Sequence, residues 1–204
     1  MKKILYSVLT LTLGLVLSSS GCNTMDTVDS DGIKINGITW AKYNVGAPGT
    51  FAPPDSPGMF YQWNNKTGWS ANGPLKSFPS GATWSSTGST ATTWEAGNNP
   101  CPDGWRVPTQ SDFEKLLTAS QGWDPVKKGR AYGNGANYIF LPAAGRRNFS
   151  DGTLFDTTGF YWTSDQYSAS SAYLFAFDDT YDDSSGARTQ KAFGFSVRCV
   201  KGAK

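Results

Sequence analysis

The chain has 204 residues, with 18 basic side chains, 16 acidic side chains and no histidine. The lack of histidine excludes Ser-His-Asp and Cys-His catalysis and every histidine-ligated zinc or iron site. Removing Lys2 and Lys3 with the leader described below leaves 16 basic and 16 acidic residues, which excludes the basic footprint of a nucleic-acid-binding protein. Aromatic residues reach 14% and charged residues only 17%, a balance typical of an exported, β-dominated domain with many loops.

Residues 1–22 are predicted to form a lipoprotein signal peptide. Lys2 and Lys3 precede an apolar stretch that is too short to span a bilayer comfortably, and small residues then lead to Cys22. The end of this segment resembles a lipobox, in which the cysteine thiol is acylated after cleavage, although Ser19 stands where the commonest pattern has leucine. An ordinary secretory signal with a spare cysteine is the alternative interpretation.

The rest of the chain is predicted to be a short tether and one domain. Residues 23–31 are polar and lack periodicity, as a tether does, and residues 32–204 are enough for one domain with a sizeable core. The domain should begin with a β-hairpin, because Asn36-Gly37 is the strongest short hairpin signal and apolar residues flank it at Ile33, Ile35, Ile38 and Trp40.

The stretch from 61 to 69 places aromatic residues beside amides, a mixture that can stack on sugar faces and hydrogen-bond sugar hydroxyls. The candidate ligand-binding residues are therefore Trp63, Asn64, Asn65 and Trp69. Trp69 lies beyond a turn and is expected to be the more exposed tryptophan. The alternative is a core strand with Tyr61 and Trp63 on one face.

Residues 71–99 are rich in Ser, Thr, Gly and Pro and contain only scattered apolar residues. A low-complexity linker is one interpretation. We favour a long loop held down by its own apolar side chains, because long loops in compact domains are usually functional or packed in this way. The expected anchors are Leu75, Phe78, Trp84 and Trp94.

A capped helix is predicted after residue 109. The Thr109 hydroxyl suits an N-cap, and the Asp112 carboxylate can reach back in a variant capping box. Phe113, Leu116 and Leu117 follow at helical spacing, so one short apolar stripe should face the interior.

Cys101 and Cys199 are the cysteines that remain if Cys22 is acylated. Two cysteines in an exported chain are expected to pair, and the bond would join the turn before the helix to the last strand. Two free, buried thiols are the alternative.

Alternating aromatic residues in the C-terminal part predict a hairpin between residues 173–177 and 193–197. Four aspartates lie in the connection, and Ca²⁺ prefers such oxygen ligands. The candidate metal residues are Asp178, Asp179, Asp182 and Asp183, although their spacing matches no EF-hand. A solvated hairpin tip is the alternative, since Asp, Ser and Gly are common turn residues. No other cofactor is expected.

The segment Cys-Pro-Asp-Gly-Trp-Arg-Val-Pro-Thr at 101–109, with its acidic and aromatic helix, resembles the signature of the Fibrobacter succinogenes major paralogous domain, which occurs in surface lipoproteins of Bacteroidetes and Fibrobacteres. Further segments agree in order: Trp40-Ala41 with Asn44, 58–63, 141–147, 159–164 and 194–200. The resemblance implies an α+β, C-type lectin-like domain with antiparallel sheets, long loops and one or two short helices. The calcium-dependent sugar motifs Glu-Pro-Asn and Trp-Asn-Asp are absent from the chain.

Residues 106–114 also resemble a segment of formylglycine-generating enzymes. Those oxidases need two nearby redox cysteines late in the chain, whereas Cys199 stands alone there. No other catalytic constellation is visible, so we expect no enzyme and name no catalytic residue.

These observations predict a lipid-anchored lipoprotein of the outer membrane that faces the cell surface and acts as a non-catalytic binding module. Carbohydrate is the preferred ligand. The alternatives are a structural or fimbrial-tip-like accessory that binds a protein of the cell envelope and, less favoured, a hydrolase with two carboxylates in a cleft. No nucleic-acid partner is expected.

Overall fold

A computed structural model of the chain describes residues 31–202, apart from 55, 156, 184 and 185. The predicted lipidation site Cys22 and nearly all of the predicted tether lie outside the described residues. Within the described part, no helix is long and apolar enough to cross a membrane.

Short strands dominate the described chain, and their bounds run in sequence order. The elements are β1 Gly32–Ile35, β2 Ile38–Ala41, β3 Met59–Gln62, β4 Gly68–Ser70, β5 Ser77–Phe78, a 3₁₀ turn Ala96–Asn98, β6 Trp105–Arg106, α1 Gln110–Leu117, β7 Gln121–Asp124, β8 Gly129–Asn134, β9 Asn137–Pro142, β10 Arg146–Arg147, β11 Leu154–Phe155, β12 Gly159–Gln166, β13 Ser171–Phe177, β14 Asp182–Asp183, β15 Arg188–Gln190, β16 Gly194–Phe195 and β17 Val200–Lys201.

The predicted α+β, C-type lectin-like fold is wrong. The structure is 39% strand and 7% helix, with four antiparallel sheets and a single α-helix in the described part of the chain. The physical reason is that only the stretch after Thr109 combines an N-cap with an uninterrupted apolar stripe, whereas turn-forming residues break the rest into short segments suited to strands. The protein therefore has a β-rich fold in which one helix packs on sheets.

Two of the four sheets join segments that are distant in the chain, and the other two are built from strands that follow one another. The strand orders are β1-β2-β17-β6, then β11-β10-β16-β3-β4-β5, then β12-β13-β14 with β15 also on β13, and finally β7-β8-β9. Because β17 lies between β2 and β6, the last strand closes the first sheet.

This closure brings the two cysteines together. Cys101 precedes β6 and Cys199 precedes β17, and their sulfurs form a disulfide with the Cα atoms 6.0 Å apart. The predicted disulfide is confirmed. It fixes the chain before the helix to the C-terminal strand.

The predicted helix and its cap are also confirmed. The Thr109 hydroxyl accepts a hydrogen bond from the Asp112 amide, and the Asp112 carboxylate accepts one from the Thr109 amide at 2.8 Å. Phe113 and Leu116 are buried, and Phe113 stacks on Phe175 with ring centroids 4.7 Å apart. Helix α1 therefore packs on strand β13.

One of the two predicted hairpins is correct. β1 and β2 pair around Asn36-Gly37, whose φ angles of 48° and 84° match a tight two-residue turn. The predicted pairing of 173–177 with 193–197 is wrong, because β13 pairs with β12, β14 and β15, while β16 pairs with β3 and β10. The second aromatic strand thus belongs to another sheet.

Three cations are buried in the interior without a carboxylate partner among the described residues. They are Arg147, Lys191 and Arg198, with exposed fractions of 2%, 0% and 1%. Arg147 donates to the Ser70, Gly73 and Gly152 carbonyls at 3.0, 2.8 and 3.1 Å. Lys191 and Arg198 likewise donate to backbone carbonyls of distant segments. The planar fork of an arginine is well suited to this role.

Candidate functional site

The long segment 71–99 is a loop held against the domain, as predicted, but Phe78 is 50% exposed and is not one of its anchors. The Trp84 indole nitrogen donates to the Phe149 carbonyl at 2.9 Å, and the Trp94 indole nitrogen donates to the Asn98 carbonyl at 3.0 Å. Lys191 donates to the Ala91 carbonyl at 2.7 Å. The loop is therefore a fixed surface that can present side chains in a defined arrangement.

Three depressions follow this loop in chain order, and we name each by its walls. The tryptophan depression, of about 390 Å³, is lined by Trp69, Leu75, Lys76, Ser77, Ser80, Gly81, Ala82 and Trp84. The amide depression, of about 280 Å³, is lined by Gln62, Trp63, Asn64, Asn65, Ser85, Gly88, Ser89 and Asn98. The helix-end depression, of about 180 Å³, is lined by Trp94, Ala96, Asn99, Arg106, Val107, Thr109 and Ser164.

Gln62 gives the amide depression its most constrained polar group. Its side-chain nitrogen donates to the Ser85 carbonyl at 2.6 Å and to the Ala192 carbonyl at 2.7 Å, which fixes the orientation of the amide. Gln62 is only 2% exposed, and its side-chain oxygen receives no hydrogen bond from a described residue. A fixed acceptor therefore remains for a ligand in this depression.

Within the described part of the protein, Asn64 uses both polar groups of its side chain, whereas Asn65 uses only one. Asn64, at φ 55°, accepts from the Glu95 amide at 2.8 Å and donates to the Ser89 hydroxyl at 3.2 Å. Asn65 accepts from the Thr67 amide at 2.8 Å, while its side-chain nitrogen has no acceptor within the described chain. Asn65 thus offers a donor near the acceptor of Gln62.

The two tryptophans among the predicted ligand-binding residues are both buried. Trp63 is 0% exposed and Trp69 is 2% exposed, so the predicted exposure of Trp69 is wrong. The reason is that the loop folds over strand β4 and places Trp84 against Trp69, with ring centroids 5.0 Å apart. The Trp69 indole nitrogen is buried and has no hydrogen-bond partner in the described structure, and Trp69 is one of the residues that line the tryptophan depression.

The partly exposed tryptophans of this surface are instead Trp84 and Trp94, which the sequence had suggested only as anchors of the loop. Trp94 packs edge-on against Trp63, with centroids 5.6 Å apart. Ser85 and Ser89 were not predicted at all, since isolated serines in a Ser-rich loop carry no distinguishing signal. Of the site residues that were missed, only Gln62 could have been predicted from the sequence, because it directly precedes the candidate residue Trp63.

An ion pair borders the helix-end depression. The Arg106 guanidinium donates to the Asp112 carboxylate at 2.7 Å. Burial alone would raise the pKa of Asp112, but hydrogen bonds from Arg106 and Thr109 outweigh it and hold this pKa below its usual range. The pair stabilises the start of α1 and supplies a charged rim next to Trp94.

The predicted calcium site is described only in part. The Asp178 carboxylate accepts hydrogen bonds from the Thr180 amide at 2.7 Å, the Thr180 hydroxyl at 2.8 Å and the Tyr181 amide at 3.1 Å, as in a local turn. Asp179 is exposed, and the side chains of Asp182 and Asp183 lie outside the described part. Among the residues that the structure describes, no group of three or more His, Cys, Asp or Glu side chains could hold a metal ion.

Comparison with known proteins adds one finding. Residues 123–200 are similar to a family described as a domain of unknown function (DUF8237). No curated protein and no solved structure matches the chain. The matched segment runs from strand β7 to strand β17 and excludes the loop that lines the three depressions.

Proposed function

We propose that the protein is a surface lipoprotein whose domain binds neutral carbohydrate along the 71–99 loop, without catalysis. The observation that carries this proposal is the amide depression, because the described residues that line it are uncharged and supply amides and hydroxyls. Sugar hydroxyls both donate and accept, so they match a wall that offers an open acceptor on Gln62 and an open donor on Asn65.

The tryptophan depression and the helix-end depression supply aromatic residues that suit the same kind of ligand. Trp84 and Trp94 are partly exposed residues, and aromatic rings pack well on the apolar faces of sugars. The depressions follow one loop in sequence, so an extended glycan could contact more than one of them. The hydrolase alternative receives no support here, because the described residues that line these depressions include no carboxylate.

A glycan-array screen of the soluble domain, from Asp31 to the C-terminus, tests the proposal. Asn65→Asp keeps the acceptor for the Thr67 amide but removes the open donor, so it should weaken binding of the selected glycan at least about tenfold. Asn72→Asp is the matched control, since Asn72 is exposed and does not line the amide depression.

Two outcomes would contradict the proposal. One is that no glycan binds above background. The other is that Asn65→Asp and Asn72→Asp bind the selected glycan equally well. A negative array would favour the protein partner, which a pull-down from the cell envelope would then identify.

The lipid anchor is a separate part of the proposal. We place the acyl chains on Cys22, which would hold the domain at the outer membrane facing the cell surface. Mass spectrometry of the membrane fraction should show acylation at Cys22, and its absence would refute the anchor. The resemblance to the Fibrobacter succinogenes major paralogous domain supports this location.

Calcium dependence remains a prediction as well. Binding of Ca²⁺ by the aspartates near 178–183 would stabilise the native state, so added Ca²⁺ should raise the thermal midpoint. An unchanged midpoint at millimolar Ca²⁺ would remove the ion from the proposal.

A further inference from the structure

A fourth depression lies away from the loop, between strand β9 and the chain that follows strand β2. Its volume is about 300 Å³, within the lower range of small-molecule sites. Lys42, Tyr43, Lys127, Tyr138, Phe140 and Arg198 are among the residues that line it, and we call it the cationic cleft.

Arg198 gives this cleft a buried positive charge. The side chain is 1% exposed and donates to the Asn44 side-chain oxygen at 2.8 Å and to the Ala41 and Phe140 carbonyls at 3.0 and 2.7 Å, and it also donates to the Lys42 carbonyl. All of these acceptors are neutral. The geometry holds the guanidinium firmly but leaves its charge uncompensated among the described residues.

The pKa of Arg198 shows that this buried guanidinium carries its charge at neutral pH. Burial lowers the pKa of Arg198 to about 10, and the neighbouring tyrosines raise it only in part. The guanidinium is therefore still charged at neutral pH. An uncompensated buried charge attracts a counter-ion of opposite sign, because the surrounding low-dielectric medium screens it poorly.

The rim of the cleft adds groups suited to an anion with a ring. Lys42 forms no ion pair with a described residue, and Lys127 lies with its ammonium 5.8 Å from the centroid of the Phe140 ring. Tyr138 is 49% exposed and lines the cleft, so part of this residue is accessible there. Together they supply positive charge, one hydroxyl donor and aromatic surface.

We propose that the cationic cleft binds a small ligand that carries a carboxylate or a phosphate, such as an acidic sugar. The anionic group would lie near Lys42, in the field of Arg198, and the ring of the ligand would pack on Tyr138. This site is separate from the three loop depressions and does not depend on the neutral-sugar proposal.

Isothermal titration of the soluble domain with glucuronate, inorganic phosphate and glucose tests the proposal. Either anion should bind more tightly than glucose, and binding should weaken as salt rises from about 20 to 500 mM because salt screens the contact. A preference for glucuronate would assign a carboxylate sugar, and a preference for phosphate would assign a phosphorylated ligand.

Matched variants make the test specific. Lys42→Gln should weaken binding of the preferred anion at least about fivefold, whereas Lys66→Gln, which removes the same charge from an exposed position outside the cleft, should not. The proposal is overturned if neither anion binds more tightly than glucose, or if the two variants behave alike. Thermal unfolding of both variants confirms that each is folded.

Discussion

Lys191 offers the clearest test of how the loop surface is held in place. Its ammonium donates to the Ala91 carbonyl at 2.7 Å, the Gln166 side-chain oxygen at 2.9 Å and the Ala169 carbonyl at 3.1 Å. It also lies 4.4 Å from the Trp63 ring centroid. One cation thus joins the loop, strand β12, the turn after it and a wall of the amide depression.

Lys191→Met keeps most of the aliphatic stem and removes the charge. A hydrogen bond from a charged group is worth about 1.5–3 kcal/mol net, and the variant leaves three acceptors without their donor. Relief of the buried charge returns several kcal/mol, so we expect a net loss of about 2–4 kcal/mol in the free energy of unfolding. For a domain of this size the thermal midpoint should fall by roughly 4–16 °C.

Thermal unfolding followed by near-ultraviolet circular dichroism measures this loss and reports on the packed tryptophans. Lys66→Met is the control, because Lys66 is exposed, and it should shift the midpoint by no more than about 1 °C. If Lys191→Met unfolds at the wild-type temperature, the ammonium does not hold the loop and the reasoning is refuted.

Three further outcomes are expected. Replacing Cys101 and Cys199 together by alanine should cost about 4–5 kcal/mol in chemical denaturation, because the bond closes a loop with a sequence separation of 98; a loss under about 1 kcal/mol would contradict this. Gly58→Ala should destabilise by more than about 1 kcal/mol, since Gly58 has φ 77° and a Cβ there would lie 2.2 Å from the Val45 carbonyl oxygen; wild-type stability would show that the backbone adapts. The pKa of the Asp112 carboxyl is lowered in the folded state, so its contribution to the free energy of unfolding is present above about pH 4 and is lost as pH falls through the folded value. Asp112→Asn should therefore lower the free energy of unfolding at pH 7 and flatten its decline at acid pH. An unchanged decline at acid pH would refute this prediction.

Local features were predictable from the sequence because their causes are local. The Asn36-Gly37 hairpin and the Thr109 cap each depend on a few consecutive residues, and both formed as predicted. The disulfide was predictable because pairing of Cys101 with Cys199 required no knowledge of the sheets. For the hairpin, the cap and the disulfide, the composition or the spacing of a few residues was enough to identify which residues interact.

Features set by distant contacts were not predictable. Phe195 alternates with its neighbours like a hairpin strand, yet its partner is Tyr61 in strand β3, and alternation alone does not identify a partner. The burial of Trp69 depends on Trp84, which lies beyond another strand and a turn. The amide depression was missed for the same reason, since Gln62 and Ser85 meet only after the loop folds back.

The three buried cations have a consequence for what another molecule meets on approach. Among the side chains that the structure describes, 15 are basic and 10 are acidic, and burial of Arg147, Lys191, Arg198 and Asp112 leaves 12 basic and 9 acidic ones outside the interior. The basic excess of the described part thus falls from five to three. A polyanion that approaches this part therefore meets a weaker positive field than a count of its charged residues suggests.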